Sequence, residues 1–242
     1  MKLQVKNITV CNNKVNIIEN ISFILNKGDV LGLIGPNGCG KSTLMKAMIG
    51  AFPKSGNSNL VLMDRETAKN EDELTFGFLP EEPILYDYLT VLKNFRISSF
   101  SKGIYDNDNE IQNLIRILNL DHLSTRKTRS LSQGEKKRLS IGLALIGNPD
   151  VLILDEPHNG LDNDGMAILK SIIEAKSKDH IIILCSHYFS EIESHCTQIL
   201  AINKGVVIVN DSINSVLEQY QSIENLFNTQ IYKLKHETNF TF

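Results

Sequence analysis

Apolar residues cluster in short unbroken runs along the chain: Val30-Leu31-Gly32-Leu33-Ile34, Val151-Leu152-Ile153-Leu154, Ile181-Ile182-Ile183-Leu184-Cys185 and, more weakly, Ile199 to Ile202. Runs of this length without polar alternation predict strands of a parallel sheet covered on both faces, with helices between them. One such helix is expected from about Ser42. The first 25 residues read differently. Val5, Ile8 and Val10, then Val15 and Ile17, flank Asn12-Asn13, which predicts short antiparallel strands joined by a turn. From about Glu81 to Ser130 the pattern becomes helical: Ile111, Leu114, Ile115 and Leu118 follow i, i+3, i+4, i+7 spacing. Near the end, Ile213, Val216, Leu217, Tyr220, Ile223, Leu226 and Phe227 mark one helical face. The expectation is an α/β protein with a mostly parallel sheet, an N-terminal antiparallel β layer and a helical insertion. Residues 1–80 and 131–211 form the core, 81–130 a helical subdomain and 212–242 a C-terminal helical extension.

Composition narrows the class. The chain has 242 residues, 42% hydrophobic and 22% charged, enough for a sizeable core. A net charge of −3 gives no reason to expect nucleic acid, whose binding is driven mainly by a basic face. No apolar run approaches the roughly 18–20 residues that span a bilayer, and Met1 to Lys6 lacks a signal-peptide core. Cys11, Cys39, Cys185 and Cys196 are widely spaced and read as reduced thiols of a soluble cytoplasmic protein.

Two motifs point to chemistry, the second through its company with the first, since by itself it reads equally as an acidic strand-end loop common in α/β proteins. Gly35-Pro36-Asn37-Gly38-Cys39-Gly40-Lys41-Ser42, followed by Thr43, matches G-x-x-x-x-G-K-[ST] between a predicted strand and a predicted helix. Its backbone N–H groups would cradle phosphates at a helix start. Lys41 would reach the β- and γ-phosphates and the Ser42 hydroxyl would ligate Mg²⁺. This is a P-loop NTPase signature, and it predicts MgATP binding. The strand Val151–Leu154 ends in Asp155-Glu156-Pro157, which puts carboxylates at the edge of the sheet where ligands bind. Asp155 would hold Mg²⁺, and Glu156 would polarise the attacking water. Cys39, beside Lys41 at a helix start, is expected to be a reactive thiolate.

Leu131-Ser132-Gln133-Gly134-Glu135, followed by Lys136-Lys137-Arg138, reads locally as an N-cap with a basic solvated face behind it. In the order phosphate loop, helical insertion, L-S-x-G-x, Asp-Glu-Pro and a histidine after a strand, the chain resembles the nucleotide-binding subunits of ABC transporters from about residue 2 to 210. The resemblance implies the ABC ATPase fold and a dimer in which Ser132 and Gly134 cap the ATP held by the other subunit. It also implies an interface role for Asp162, which reads equally as a helix N-cap, and a γ-phosphate contact for His187. His158 and His195 match nothing and are expected on the surface.

Some positions depart from that pattern. Glu81 stands where the family usually has a glutamine that senses Mg²⁺ and water, and it joins Ser42 and Asp155 as a predicted metal ligand. The adenine-stacking aromatic aligns near Asn12, and no Tyr, Phe or Trp lies between Met1 and Ile21. Gly77 to Pro83, the stretch Leu85-Tyr86 and Leu89-Thr90-Val91, and Ser222 to Phe227 resemble ATPase subunits of ABC-2-type exporters. The resemblance therefore implies an ATPase with ATP and Mg²⁺ as ligands and a second ATPase subunit, identical or paralogous. Its other partner would be a separate integral membrane permease at the inner face of the cell membrane, with no nucleic acid. Tyr86, Tyr88, Phe95 and Phe100 are expected at the permease groove. The alternatives are a soluble ABC-family ATPase remodelling a non-transport complex, and a nucleotide-binding module that hydrolyses weakly.

Overall fold

Two asparagines set the form of the N-terminal layer. In β1 (Lys2–Asn12) the buried positions are Leu3 and Val5, then Ile8 and Val10; in β2 (Val15–Asn26) they are Ile18, then Ile21, Phe23 and Leu25. Each series changes parity once, and a strand keeps one face inward across such a change only through a bulge. Asn7 and Asn20 supply it with φ of 52° each, a conformation asparagine tolerates better than most residues. Both are fixed across the pair: Asn7 N–H donates to Ser22 Oγ at 2.9 Å and Asn20 N–H to Thr9 Oγ1 at 3.0 Å. The strands are thus longer than the short ones expected, because β2 runs on past the bulge at Asn20 to Asn26. β4 (Asn59–Leu62) adds to β1, also antiparallel.

The computed structural model describes residues 1–12, 15–51, 59–62 and 74–232, with backbone alone at 59–62 and 231–232. Asn13 of the expected turn lies outside them, while Asn12 pairs with Val15. The chain divides into two compact units, Met1–Glu73 with Ile181–Phe242, and Leu74–His180.

In the first unit, β3 (Val30–Ile34) lies between β7 (Ile181–Cys185) and β8 (Gln198–Asn203), parallel to both. All residues of β3 and β7 are buried, as their unbroken apolar runs require. β9 (Val206–Ser212) closes on β8 antiparallel. α1 (Lys41–Met48) follows β3, and α6 (Phe189–His195) follows β7. The C-terminal apolar stripe is not one helix. Gln221, at φ 68°, ends α7 (Ile213–Tyr220), and Ser222 caps α8 (Ile223–Leu226) by accepting from Asn225 N–H. The apolar residues keep their inward face because the break turns the chain, and a π-helical turn, Phe227–Tyr232, follows.

In the second unit, β5 (Phe76–Leu79) and β6 (Val151–Asp155) pair in parallel. The stretch from 81 to 130 holds α2 (Val91–Ser101), α3 (Asp108–Ile117) and two short 3-10 turns, with one isolated bridge between Thr90 and Lys127. α4 (Gln133–Leu145) packs between these helices and β5, and α5 (Asn163–Lys176) follows β6. Asn94, buried in α2, accepts from Tyr86 N–H and donates to the carbonyls of Tyr86 and Thr90 and to Thr128 Oγ1. One satisfied amide therefore pins the segment before α2.

Candidate functional site

The first unit carries the phosphate loop on the C-terminal end of β3 and His187 just past the end of β7. Leu33 pairs with Cys185, so adjacent strands deliver both. Gly40 takes φ +111°, and a Cβ there would lie 2.4 Å from Ile18 Cγ2, so only glycine lets the loop rest on β2. Gly40 is also the N-cap of α1, with no side-chain cap and no acidic residue in the first turn. The helix N-terminus is left to an anion, and phosphate fits it. Lys41 Nζ donates to the carbonyls of Gly35 at 2.7 Å and Pro36 at 3.2 Å, which folds the cation over the loop. Ser42 is exposed in the first turn and Thr43 half-buried behind it.

Cys39 does not behave as the sequence suggests. Its side chain is 4% exposed, and burial raises the thiol's pKa by more than the Lys41 charge and the backbone N–H groups of Lys41 and Cys39 lower it. The thiol packs inward, so the expectation of a reactive thiolate is corrected.

In the second unit Asp155 and Glu156 end β6, both buried. Glu156 has φ 44°, the left-handed conformation that a non-glycine residue adopts at a cost of roughly 1–3 kcal/mol. The β-strand cannot continue through it, so the chain turns and the second acid leaves the strand's alternation. β5, paired through Leu79 with Leu154, brings Pro80 and Glu81 out at the same end. Glu81 is exposed. Carboxylates of Asp155 and Glu81 form the all-oxygen donor chemistry that suits a hard cation such as Mg²⁺.

Ser132 caps α4: its Oγ accepts from Glu135 N–H at 3.2 Å, and its own N–H donates to Glu135 Oε2 at 2.7 Å. This capping box holds the Ser132-Gln133-Gly134 turn outward, with Ser132 and Gln133 exposed. A Cβ on Gly134 would stand 3.3 Å from the Gly160 carbonyl oxygen and 3.9 Å from Asp162 Cγ. The turn and the Asn159–Asp162 loop are therefore neighbours. Asp162 is the N-cap of α5, its Oδ1 accepting from Gly165 N–H at 2.8 Å.

Two expectations about polar residues are overturned here. Lys137 is 1% exposed and Arg138 6%, so the basic run after Ser132 is no solvated face: α4 is covered on opposite sides by β5 and by the helices of 81–130. His158, expected on the surface, is 7% exposed, because the loop after Glu156 runs inward. Phe95, expected at a groove, is fully buried, whereas Ile84, Tyr86, Tyr88 and Phe100 are exposed. The signal missed was Lys137, whose Nζ donates to the carbonyls of Glu81 at 2.9 Å and Pro80 at 3.4 Å. Only a fold that stacks α4 on β5 makes it visible.

Comparison with known proteins agrees with this geometry. The profile of the ABC transporter family matches residues 18–159. The lantibiotic transport ATP-binding protein SrtF of Streptococcus pyogenes is 35% identical over 230 residues, 95% of this chain and 97% of that protein. The chain belongs to the ABC transporter family. The linearmycin resistance ATP-binding protein LnrL of Bacillus subtilis is 34% identical over 212 residues, 85% of this chain and 68% of its own length. A solved structure described as the ATP-binding subunit of an ABC transporter matches with a TM-score of 0.82 at 26% identity, covering 94% of this chain and 98% of that one. This ABC protein has the ABC ATPase fold and is a nucleotide-binding ATPase of that family. Among the described residues, no helix is long and apolar enough to cross a membrane.

Proposed function

We propose that this ABC ATPase powers export through a separate, ABC-2-type membrane permease, and that it acts as a dimer closed around two MgATP. The observation that carries the reading is the exposed Ser132–Gly134 turn lying against the Asn159–Asp162 loop. The exposed Ser132 hydroxyl and the Gly134 backbone of that turn form a polar surface to which a second copy or a paralogue can present a phosphate. The names of SrtF and LnrL, a lantibiotic transporter component and a linearmycin resistance protein, support the export direction.

In this reading residues 1–80 and 131–211 are the ATP-binding core, 81–130 the docking subdomain and 212–242 a C-terminal extension. Lys41 would exchange the carbonyls of Gly35 and Pro36 for β- and γ-phosphate oxygens, while the backbone of Gly35 to Thr43 holds the triphosphate. Ser42, Asp155 and Glu81 would hold Mg²⁺, which supplies charge neutralisation to the phosphates. Glu156 orients and polarises the attacking water, and His187 contacts the γ-phosphate. Ser132 and Gly134 would close the site from the opposing subunit, with Asp162 at the interface. Exposed Ile84, Tyr86 and Tyr88, with the Tyr86 backbone anchored by Asn94, would offer the permease an apolar face, and the protein would then work at the cytoplasmic side of the membrane.

The decisive experiment replaces Glu156 with Gln. Hydrolysis should stop while ATP binding persists, and the protein should elute as an ATP-dependent dimer. Lys41→Ala should instead lose binding. Substantial turnover by the Glu156→Gln variant would sink the assignment.

A further inference from the structure

Two lysines of the second unit donate to backbone carbonyls, one exposed and one buried, and they differ in what they serve. Lys102 Nζ donates to the carbonyls of Leu143 and Ile146, the last turn of α4, where a cation satisfies orphan acceptors and favours the helix dipole. Lys137 lies near the start of α4, where no carbonyl needs a cap. Both of its hydrogen bonds go instead to Pro80 and Glu81, the residues that leave β5. Burial depresses its pKa, and the carboxylates of Asp155, Glu81 and Glu156, in that order, act in the opposite direction. Desolvating an ammonium is costly, and an apolar side chain would fill the same space between α4 and β5. The offset to that cost lies entirely on the segment and the acids that face the reaction.

We propose that Lys137 is a positioning residue for ATP hydrolysis. Its ammonium ties the signature helix to the backbone of Pro80 and Glu81 and balances the Glu81, Asp155 and Glu156 carboxylates. α4 is a rigid rod from the Ser132 cap onward, so a movement of the Ser132–Gly134 turn is passed through Lys137 to the Glu81 segment. Without the ammonium, the segment carrying Pro80 and Glu81 loses its backbone anchor to α4 beside the acids. The inference rests on the roles given above to Glu156 and Glu81.

The test is steady-state ATPase kinetics on the full chain, with Lys137→Met, Lys137→Gln, Lys137→Arg, Glu81→Gln and the Lys137→Met/Glu81→Gln pair. Lys137→Met should lower kcat by about ten- to a hundredfold, the scale of a misplaced catalytic group. KM for ATP should stay within about threefold, because the phosphate loop is untouched. Arg, which keeps the charge and the reach, should restore kcat to within about threefold of wild type, whereas Gln, which keeps donors without charge, should not. In the double variant the losses should be less than multiplicative, since removing the Glu81 charge removes part of the need for Lys137. A kcat for Lys137→Met within twofold of wild type overturns the proposal, and so does an Arg variant as slow as Met. If Met prevents folding, Lys137→Gln decides: wild-type turnover overturns the proposal and slow turnover with normal KM supports it. A wild-type protein inactive under the same conditions would overturn the functional reading itself, which keeps the two failures apart.

Discussion

A Cβ on Gly77 would stand 2.2 Å from the carbonyl oxygen of Ala144, so β5 and α4 meet backbone to backbone. This approach brings the Lys137 ammonium within reach of Pro80 and Glu81. Gly77→Ala forces a methyl group against a carbonyl that cannot rotate away. The expected destabilisation is about 1–3 kcal/mol, the usual scale of overpacking. For a chain of this size that lowers Tm by roughly 2–4 °C per kcal/mol. An unchanged thermal melt would show that α4 can withdraw from β5 freely.

Cysteine labelling separates buried thiols from the exposed one. Cys11 is exposed, whereas Cys39, Cys185 and Cys196 are buried. Burial pushes the Cys196 thiol up to about 12 and raises Cys39 as well. A raised thiol pKa leaves less thiolate at any pH below it, so reactivity falls near neutrality and returns only as pH climbs past the ordinary thiol range. Maleimide at neutral pH should modify Cys11 quickly and the other thiols slowly, with ATPase activity retained. All four should react in denaturant. Rapid labelling of Cys39 in the native protein, with loss of activity, would refute the inward packing.

Base selectivity should be weak. Asn12 ends β1 where the family resemblance expects an aromatic residue, and its neighbour Val15 is exposed while Ile17 is half-buried. Base stacking on an aromatic face contributes on the order of 1–3 kcal/mol in nucleic-acid binders, roughly ten- to a hundredfold in affinity. Without it, binding rests on the triphosphate, and aliphatic contacts discriminate little between purines. ATP and GTP should bind and turn over within about a few-fold of each other, measured by competition and by phosphate release, and Asn12→Tyr should tighten ATP. A preference for ATP above about fiftyfold would mean that another group reads the base.

The phosphate loop, Asp155-Glu156 and the parallel strands were legible in the sequence because each is a local pattern. A glycine-rich turn needs its glycines at fixed spacing, and a strand buried on both faces is apolar except where it ends. The N-terminal layer was legible only in part. Parity changes at Asn7 and Asn20 are written in the chain, but a bulge is resolved only when the partner strand supplies Ser22 and Thr9 to hold it. The C-terminal stripe shows the reverse: its spacing fits one helix, and Gln221 breaks it without changing which residues face inward.

What the sequence could not decide is the environment of its polar residues. Lys136-Lys137-Arg138 has the composition of a solvated face, and Cys39 the neighbours of a reactive thiol. In each case desolvation decides the outcome, and desolvation depends on what packs against the residue from distant parts of the chain. Lys137 is buried because β5 reaches α4 at Gly77. The thiol of Cys39 is buried in the loop packing, close to Gly35. The sequence by itself determined the chemistry this protein can perform, since that is carried by short motifs of fixed spacing. Only the tertiary structure decided which charges stay in water and which are held beside the acids, because burial is a property of contacts that no local pattern contains.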